Sequence, residues 1–432
     1  MNPSIKDLYK LYCSHPQICT DTRALTPGAI FFALKGDQFD GNKFAIKAIK
    51  DGCSLAVVDD VRLKDEDAFF YVKDVLETLQ HLAKHHRKKL NIPVIGITGT
   101  NGKTTTKELV NAVLSKKFKT YATKGNFNNH IGVPLSILSI PEKTELAVIE
   151  MGANHIGEIA ELCQIAQPNY GIITNIGIAH LEGFGSFEGV KKAKTELYQF
   201  LSKQADSLTI VNADDPLLMK ESKRLQTLTY GFDEAANEKF GKMPVQEFAS
   251  LKWLKNDYEL EIRSKLIGEY NLPNIMAAIC IGNYFKVPQN LIKEAIETYL
   301  PRNQRSQLLN TKNNQLIVDA YNANPSSMKL AINNFASQTG TQKTFILGDM
   351  LELGIESQSL HQEIINHLLS FNPEQVILVG SEFKSCKTNP EWKSFRSTDE
   401  AFDFLISKKI KNHKILLKGS RGMRLEKLIE TL

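Results

Sequence analysis

The sequence is organised around a glycine-bearing loop that separates an apolar segment from an amphipathic one. Residues 92–97 form an apolar run typical of a buried strand, and apolar residues recur at helical spacing from Leu109 to Leu114. The loop between them contains Gly99, Thr100, Asn101, Gly102, Lys103, Thr104 and Thr105. A strand, a glycine loop and a helix N-terminus direct backbone amides at one point, which is the geometry of a phosphate site. Lys103 is therefore expected beside the outer phosphates, and the Thr104 hydroxyl is expected near Mg2+.

The glycine spacing of this loop departs from that of the usual phosphate loop. The common pattern has a glycine five positions before Gly102, but Ile97 occupies that position and Gly99 stands three positions before it. An ordinary strand-to-helix turn is therefore the alternative interpretation. The apolar run before the loop and the amphipathic segment after it favour the phosphate site, because such a loop needs both elements.

Length and composition indicate a globular protein of several domains. The chain has 432 residues, of which 42% are hydrophobic and 23% are charged, and this predicts two to four domains rather than one core. A net charge of only +5, with dispersed lysines, argues against a dedicated nucleic-acid surface. The one basic run, residues 84–89, is interpreted as a solvated helix face.

The cysteine and hydropathy patterns bear on the cellular compartment. The six cysteines are widely spaced and include no C-x-x-C pair, so neither structural zinc nor a disulfide framework is expected. Residues 1–7 contain no apolar segment. No apolar run has the length of about 18 residues that a membrane helix needs. We therefore expect no signal peptide, no membrane span and a location in the reducing cytoplasm.

Buried strands alternate with helices and divide the chain into three α/β units. We expect a small N-terminal α/β module at 1–90, a central phosphate-loop ATPase-type domain with a mostly parallel sheet at 91–301, and a C-terminal Rossmann-like domain at 302–432. Within the central unit, residues 225–265 alternate in hydrophobicity and predict antiparallel strands. The C-terminal unit contains no G-x-G-x-x-G, which argues against a dinucleotide site.

Polar side chains follow several of the predicted strands. Glu150 ends the apolar run 146–149, and His180 follows the strand 171–176. Open α/β sheets bind ligands at the carboxyl ends of their strands, so both side chains are candidate Mg2+ ligands. The alternatives are a capping or paired glutamate and a structural histidine. Lys194 falls within an apolar helical stripe, where it either extends outward to solvent or is chemically altered.

Loops supply further candidate ligand groups. The loop 124–134 is rich in amides and is expected near the nucleotide; these amides include Asn126, Asn128 and Asn129. In the first unit, Arg23 and the loop 36–42 are candidates, although ordinary turns explain them equally well. In the third unit, Asp319 ends a strand, and Asn324 and Pro325 then suit the cap and the first position of a helix.

Six segments together resemble one family. They are residues 98–105, 125–129, 150–154, 319–325, 347–354 and 418–421. The first is similar to the ATP loop of the Mur ligases, the cytoplasmic enzymes that build the peptide stem of peptidoglycan. The fourth and fifth resemble the member of that family that acts last. The resemblance extends over essentially the whole chain in the three-domain order of the family.

The resemblance implies an ATP-dependent amide ligase. The implied reaction joins D-Ala-D-Ala to UDP-MurNAc-tripeptide through an acyl phosphate, with Mg2+ as cofactor, in peptidoglycan synthesis. The N-terminal domain is expected to bind the UDP-MurNAc substrate, the central domain ATP, and the C-terminal domain D-Ala-D-Ala while closing over ATP. The family also implies a monomer. The alternatives are the ligase that adds the third stem residue, folylpolyglutamate synthase, and an ATP-regulated binding protein without turnover.

The resemblance also implies roles for individual residues. Thr104 and Glu150 are expected to hold one Mg2+, and His180 is expected near a second. Lys194 matches a lysine that several members carry as a metal-holding carbamate, and whether this chain carries it stays open. The expected catalytic set is Lys103, Glu150, His180 and Lys194. The other expected ATP contacts are Gly99, Thr100, Asn101, Gly102, Thr105, Asn271, Arg305 and Asp319. The expected substrate contacts are Thr22, Arg23, Asn126, Asn128, Asn129, Asn322, Asn324 and Ser326.

Overall fold

The computed structural model describes residues 4–36, 38–64, 67–244, 247–255, 257–301, 304–338 and 342–432. Within these residues the chain forms three successive α/β units, each built on its own main sheet, so the predicted α/β fold class is confirmed. Asp37 of the candidate loop and the expected domain limits Met1 and Arg302 lie outside the described residues.

The N-terminal unit is a parallel four-stranded sheet between helices. Its elements are α1 (Ile5–Ser14), β1 (Ile18–Cys19), β2 (Ile30–Phe32), β3 (Lys35–Gly36), β4 (Phe39–Asp40), α2 (Ala45–Lys50), β5 (Leu55–Val58), β6 (Phe69–Tyr71) and α3 (Val75–Lys89). The strand order is β1-β2-β5-β6, and β3 pairs with β4 in a separate hairpin. Phe32 belongs to the buried cluster that contains Leu8 of α1 and Leu79 of α3, whereas Phe31 belongs to the cluster that contains Ala45 of α2. Alternate residues of β2 therefore face opposite helical layers.

The central unit contains the longest sheet. Its elements are β7 (Val94–Thr98), α4 (Lys103–Leu114), β8 (Thr120–Ala122), α5 (Gly132–Leu138), β9 (Leu146–Glu150), α6 (Glu158–Ala166), β10 (Tyr170–Ile173), α7 (Leu181–Phe184), α8 (Phe187–Leu201), β11 (Leu208–Asn212), α9 (Pro216–Glu221), β12 (Thr227–Gly231), β13 (Glu238–Lys242), β14 (Phe248–Leu254), β15 (Glu259–Ile267), α10 (Leu272–Tyr284) and α11 (Gln289–Thr298). The strand order is β15-β14-β13-β12-β11-β10-β7-β9-β8.

This nine-stranded sheet is parallel from β8 to β13 and antiparallel only between β13, β14 and β15. The prediction of antiparallel strands throughout residues 225–265 is therefore wrong for β12, which pairs in parallel with both β11 and β13. Alternating hydrophobicity indicates a strand with one buried face, but it does not indicate the direction of the neighbouring strands. The mostly parallel sheet expected for this unit is confirmed.

The C-terminal unit is a six-stranded sheet with one antiparallel edge. Its elements are β16 (Gln307–Asn310), β17 (Gln315–Asp319), α12 (Pro325–Ser337), β18 (Gln342–Gly348), α13 (Ser357–Leu369), β19 (Gln375–Val379), α14 (Ser381–Ser385), β20 (Lys393–Phe395), α15 (Thr398–Ser407) and β21 (His413–Lys418). The strand order is β16-β17-β21-β18-β19-β20, in which only the β16–β17 pair is antiparallel. Asn324 caps α12 and Pro325 begins it, as the sequence predicts.

Helix α3 joins the first unit to the central one. Its apolar face shares one buried cluster with residues of both units, among them Leu8, Val133 and Leu162. The Arg87 guanidinium is buried and donates to the carbonyls of Ala166 (2.8 Å), Leu90 (2.9 Å) and Gln167 (3.0 Å). The two units are thus fastened by packing and by a charged hydrogen-bond donor.

The interpretation of residues 84–89 as a solvated helix face is therefore partly wrong. Arg87 is buried, and His86 lies half-buried beside Tyr9, whose hydroxyl is 3.2 Å from the His86 Nδ1 atom. Burial lowers the pKa of His86 to about 4. Lys88 and Lys89 are exposed as expected. The run looks uniformly basic in sequence, but helical geometry turns Arg87 toward the central unit.

No helix in the described ranges is long and apolar enough to cross a bilayer. The strands β10, β7 and β9 lie side by side in the central sheet, next to its edge strand β8. Their carboxyl ends share one edge, and the chain leaves that edge through the glycine loop, through Glu150 and toward His180. This edge is where ligands bind in open α/β sheets.

Replacing Arg87 with methionine is expected to loosen the junction between the first two units. The change leaves three carbonyls without their donor, which costs about 2–4 kcal/mol, so the apparent melting temperature measured by circular dichroism falls by about 5 °C or more. The exposed neighbour supplies a matched control, because Lys88→Met removes the same charge without touching those carbonyls. Equal melting temperatures for the two variants would contradict the assignment.

Candidate active site

A cleft of about 720 Å3 lies between the central and C-terminal units. Most residues expected at the site line it, namely Thr100, Asn101, Gly102, Lys103, Thr104, Thr105, Asn128, Asn129, Glu150, His180, Asn271, Arg305, Asp319, Asn322, Asn324 and Ser326. Gly99 belongs to the same loop. The structure does not bring Asn126, Lys194, Thr22 or Arg23 to the lining of this cleft. The site is therefore shared by two units, and the first unit's candidates stand apart from it.

The glycine loop places a helix N-terminus at the floor of the cleft. Gly102 is the residue before α4 and has φ +81°, a left-handed conformation that favours glycine. A Cβ atom at this position would lie 2.6 Å from the Asn274 side-chain oxygen. The loop therefore requires glycine at this position for two reasons: the positive φ, and the lack of space for a Cβ atom beside Asn274. The free amides of the first turn of α4 are available to an anion.

Lys103 lies folded against its own loop. Its Nζ atom donates to the carbonyls of Gly99 (2.7 Å) and Thr100 (3.0 Å). Desolvation lowers the pKa of Lys103 to about 8, and the nearby Glu150 carboxylate opposes that shift. The side chain is still largely cationic at neutral pH, and its long stem allows it to exchange these carbonyls for phosphate oxygens.

Glu150 is buried among hydrogen-bond donors and a lysine. Its Oε1 atom accepts from the Thr104 hydroxyl (3.1 Å) and from the Asn128 amide (2.8 Å). The Lys107 Nζ atom lies 3.6 Å from Oε2, and Oε2 is buried without a hydrogen bond from any described residue. An orphaned carboxylate oxygen beside a hydroxyl fits a hard cation, because Mg2+ takes oxygen ligands and is held by one or two carboxylates together with phosphates and water.

The residue that sequence reasoning missed here is Lys107. Its side chain is 3% exposed, and its cation balances the Glu150 carboxylate inside the protein. A signal was present in the sequence, because Lys107 follows Lys103 by four positions, and residues four apart share one helix face. The spacing does not predict its partner, because Glu150 lies 43 positions farther along the chain.

His180 faces the third unit. Its Nδ1 atom lies 2.5 Å from the Glu352 carboxylate. In the described part of the chain, no group of three or more histidine, cysteine, aspartate or glutamate side chains is arranged to hold a metal ion. His180 and Glu150 therefore line one cleft without belonging to one such ligand cluster.

Lys194 is buried in α8, so the alternative in which it extends outward is wrong. Its side chain is 2% exposed, its Nζ atom lies 5.2 Å from the Phe184 ring centroid, and it donates weakly to the Ala153 carbonyl at 3.4 Å. Burial, reinforced by the nearby Lys103 cation, lowers its pKa well below the usual value for lysine. A lowered pKa favours the unprotonated amine, which is the form of lysine that reacts with CO2.

A buried chain of amides supports the glycine loop from behind. Asn271 donates from Nδ2 to the Ile267 carbonyl (2.9 Å), and Asn274 donates to the Asn271 side-chain oxygen (3.0 Å). The Thr106 hydroxyl donates to Asn274 at 3.0 Å. Sequence reasoning named Asn271 and missed Asn274, although the two stand three positions apart at the start of α10 and so share one face.

The C-terminal unit presents a paired carboxylate and a stacked guanidinium. Asp319 accepts from the buried Lys418 ammonium at 2.6 Å, and the Ser306 amide lies 3.3 Å from its other oxygen. The Arg305 guanidinium lies over the Tyr321 ring, 3.8 Å from its centroid. Lys418 was quoted within a motif but was not named as a site residue. Its partner on β17 explains the burial of its charge.

Among the described residues, one direct hydrogen bond joins the glycine loop to the C-terminal unit. Asn324 Nδ2 donates to the Asn101 side-chain oxygen at 2.8 Å. Asn324 also caps α12, so this helix N-terminus is presented to the phosphate loop. In the first unit, by contrast, the exposed Arg23 guanidinium is occupied by Asp21 at 2.7 Å.

Three α/β units in this order, with a glycine phosphate loop facing a third unit across a cleft, define an architecture of the Mur ligase type. Comparison with family models bears this out along the chain. Residues 16–96 match the Mur ligase family catalytic domain, 97–282 match the Mur ligase middle domain, and 304–421 match the Mur ligase glutamate ligase domain. The chain belongs to the Mur ligase family.

Relatives within the family are similar over almost their whole length. The UDP-N-acetylmuramoyl-tripeptide--D-alanyl-D-alanine ligase of Bacillus subtilis is 34% identical over 430 residues, which covers 96% of this chain and 92% of that protein. The crystal structure of MurF from Acinetobacter baumannii has a TM-score of 0.86 at 30% identity, and covers 96% and 92% of the two chains. MurF ligase from Thermotoga maritima in complex with ADP has a TM-score of 0.85 at 27% identity and covers 96% of each chain.

The geometry of Gly102 generates a binding prediction. Gly102→Ala is expected to lower ADP affinity at least tenfold in isothermal titration calorimetry, because the added methyl group displaces Asn274 and tilts the amides of the loop. Gly157→Ala is the matched control, since Gly157 also precedes a helix with positive φ (+99°), yet no described atom lies within 4 Å of its added Cβ. Both variants carry backbone strain of about 1–2 kcal/mol. Only the first is expected to lose ADP, and a similar loss in both would attribute the effect to strain alone.

Proposed function

We propose that this chain joins D-Ala-D-Ala to UDP-MurNAc-tripeptide at the expense of ATP, yielding UDP-MurNAc-pentapeptide, ADP and phosphate. The observation that carries the proposal is likeness over almost the full length of relatives named for this reaction. The cleft between the phosphate loop and the C-terminal unit supports it, because the reaction needs ATP, an acid and an amine at one place. The same likeness favours it over addition of the third stem residue, folylpolyglutamate synthesis and binding without turnover.

The chemistry explains why cationic side chains collect in this cleft. A carboxylate is a poor acyl donor until the γ-phosphoryl group of ATP converts it to an acyl phosphate, which the dipeptide amine then attacks with release of phosphate. The first step brings two anions together, and unit charges about 4 Å apart repel by about 4 kcal/mol at an effective dielectric constant near 20. Lys103 and Arg305 both line the cleft and place positive charge near this meeting point.

Thr104 and Glu150 are the groups that would hold Mg2+, and His180 is the further candidate. When bound, Mg2+ neutralises phosphate charge, which with positioning is the main requirement of phosphoryl transfer. Lys107 holds Glu150 in place by its ion pair. The Asn128 amide fixes the rotation of the same carboxylate. The chain thus prepares an oxygen ligand before any cation arrives.

Lys194 supports two states of this site. As an unmodified lysine it fills a buried position beside Phe184. As a carbamate it becomes an anion, formed when the amine nitrogen attacks CO2 and loses a proton, and it then adds an oxygen donor to the cleft. The low proton affinity of the buried amine favours the reaction with CO2.

Each substrate is proposed to contact its own group of residues. The helix N-terminus at Asn324, with Asn322 and Ser326 beside it, is proposed to receive D-Ala-D-Ala and the acyl phosphate. Asn271, Arg305 and Asp319 are proposed to contact ATP. Thr22 and Arg23 of the first unit, with Asn126, Asn128 and Asn129 nearer the loop, are proposed for the UDP-MurNAc-tripeptide. The proposed enzyme is a cytoplasmic monomer whose third unit closes over ATP.

A phosphate-release assay with several amine acceptors tests the activity. With ATP, Mg2+ and UDP-MurNAc-tripeptide present, D-Ala-D-Ala is expected to stimulate phosphate release at least tenfold more than D-Ala, L-Ala or L-lysine. Stimulation by a single amino acid in preference to the dipeptide would reassign the chain to another step of stem synthesis. An absence of nucleotide consumption with every acceptor would refute the ligase function.

Lys103 supplies the corresponding residue test. Lys103→Ala is expected to lower phosphate release at least a hundredfold, because a lost interaction of about 3–4 kcal/mol is a factor of about 10² to 10³ in rate. Lys203→Ala is the control, since Lys203 is an exposed lysine of the same unit. Circular dichroism melting curves of both variants establish that the fold persists. Full activity of Lys103→Ala would remove the loop from the mechanism.

A further inference from the structure

The segment 347–354 marks the family member in the sequence, yet the proposed reaction assigns it no role. It leaves β18 at the carboxyl edge of the C-terminal sheet and extends to α7 of the central unit. We infer that Glu352 in this segment is a positioning residue that orients His180, so that the imidazole is set for a cation only when the third unit is docked. This inference rests on the proposed metal-binding role of His180.

Glu352 of the C-terminal unit contacts the central unit through its side chain and through its backbone. The Glu352 carboxylate lies 2.5 Å from the His180 Nδ1 atom. Two residues farther along, the Glu182 amide is directed at the Glu352 carbonyl at 3.4 Å. Leu181, between them, packs against the apolar core of the C-terminal unit. His180 therefore lies at the central unit's side of a small interface, and Glu352 lies at the other side.

Both partners have a backbone conformation that their residue types disfavour. His180 has φ +50° and Glu352 has φ +65°, and neither is glycine. Each such conformation costs about 1 kcal/mol or more and persists where the surroundings determine it. Strain on both sides of one contact indicates that the two turns are shaped to bring these side chains together.

The segment that carries Glu352 is held rigidly at its base. The Asp349 carboxylate accepts hydrogen bonds from two backbone amides at the start of α14, each 3.0 Å long. The Met350 amide donates to the His361 ring at 3.0 Å. The Leu351 amide donates to the Ser420 hydroxyl at 2.9 Å. The backbone that leads to Glu352 is therefore tied to the C-terminal unit at three successive residues.

A carboxylate at Nδ1 determines which ring nitrogen of His180 is free. The Glu352 carboxylate covers Nδ1 by its close approach, so Nε2 is the nitrogen left for a ligand in the cleft that His180 lines. Metal-binding histidines in proteins commonly donate their other ring N–H to a carboxylate, which fixes the tautomer and the ring orientation. Here that carboxylate comes from a different unit, so ring orientation depends on docking of the C-terminal unit.

Manganese binding in the presence of ADP tests the inference without relying on turnover. Free Mn2+ is measured by electron paramagnetic resonance with wild-type protein, Glu352→Ala, His180→Ala and the double variant. We expect Glu352→Ala to weaken Mn2+ binding about tenfold, as loss of an orienting carboxylate does. The double variant is expected to bind like His180→Ala alone, because Glu352 acts through the imidazole. Partial recovery of Mn2+ affinity is expected in Glu352→Asp.

The matched control is Glu356→Ala, which removes an exposed carboxylate four positions after Glu352, just beyond the segment, and it is expected to bind Mn2+ like wild type. Unchanged affinity in Glu352→Ala, or additive losses in the double variant, would overturn the positioning role. Unchanged affinity in His180→Ala would overturn it by removing the metal role on which it rests. Each of these results is separable from failure of the proposed function, which would appear as wild-type protein without dipeptide-dependent phosphate release.

Discussion

Burial of charged side chains at one sheet edge is the constraint on which this structure depends. Glu150, Lys107 and Lys194 are each no more than 3% exposed. A buried charge is tolerated only with a partner or with a changed protonation state. Glu150 and Lys107 satisfy this condition by pairing, whereas burial moves the pKa of Lys194 away from its usual value. These side chains are therefore already in position before a cation or a phosphate group binds.

The same constraint operates across the cleft. In the C-terminal unit the buried Lys418 ammonium is matched by Asp319, and Arg305 stacks on Tyr321. These pairs hold their side chains at the edge of the second sheet, opposite the glycine loop. Two sheets therefore meet at the carboxyl ends of their strands. A ligase benefits from this arrangement, because one sheet can hold the nucleotide while the other holds the amine.

Contacts between the central and C-terminal units include polar pairs at the chemistry, an ion pair away from the cleft, and packing of Ile267 and Leu181 into the apolar core of the C-terminal unit. Asn324 joins Asn101 of the glycine loop, and Glu352 contacts His180. Both contacts involve residues expected at the nucleotide or metal. The first and central units, in contrast, share a continuous apolar cluster and the buried Arg87. The polar pairs suit the closure proposed for the C-terminal unit, since polar contacts exchange with water more readily than a packed apolar core does.

The sequence by itself determined the three α/β units, the strand ends that carry polar groups, the glycine loop and the cap at Asn324. These features follow from local periodicity, from backbone requirements at glycine and proline, and from motif spacing. Tertiary structure alone decided that Arg87 is buried, that β12 pairs in parallel, that Lys107 faces Glu150 and that Glu352 contacts His180. Periodicity shows which face of an element is covered and leaves open what covers it. Pairings between residues far apart in the chain arise only when whole surfaces pack together.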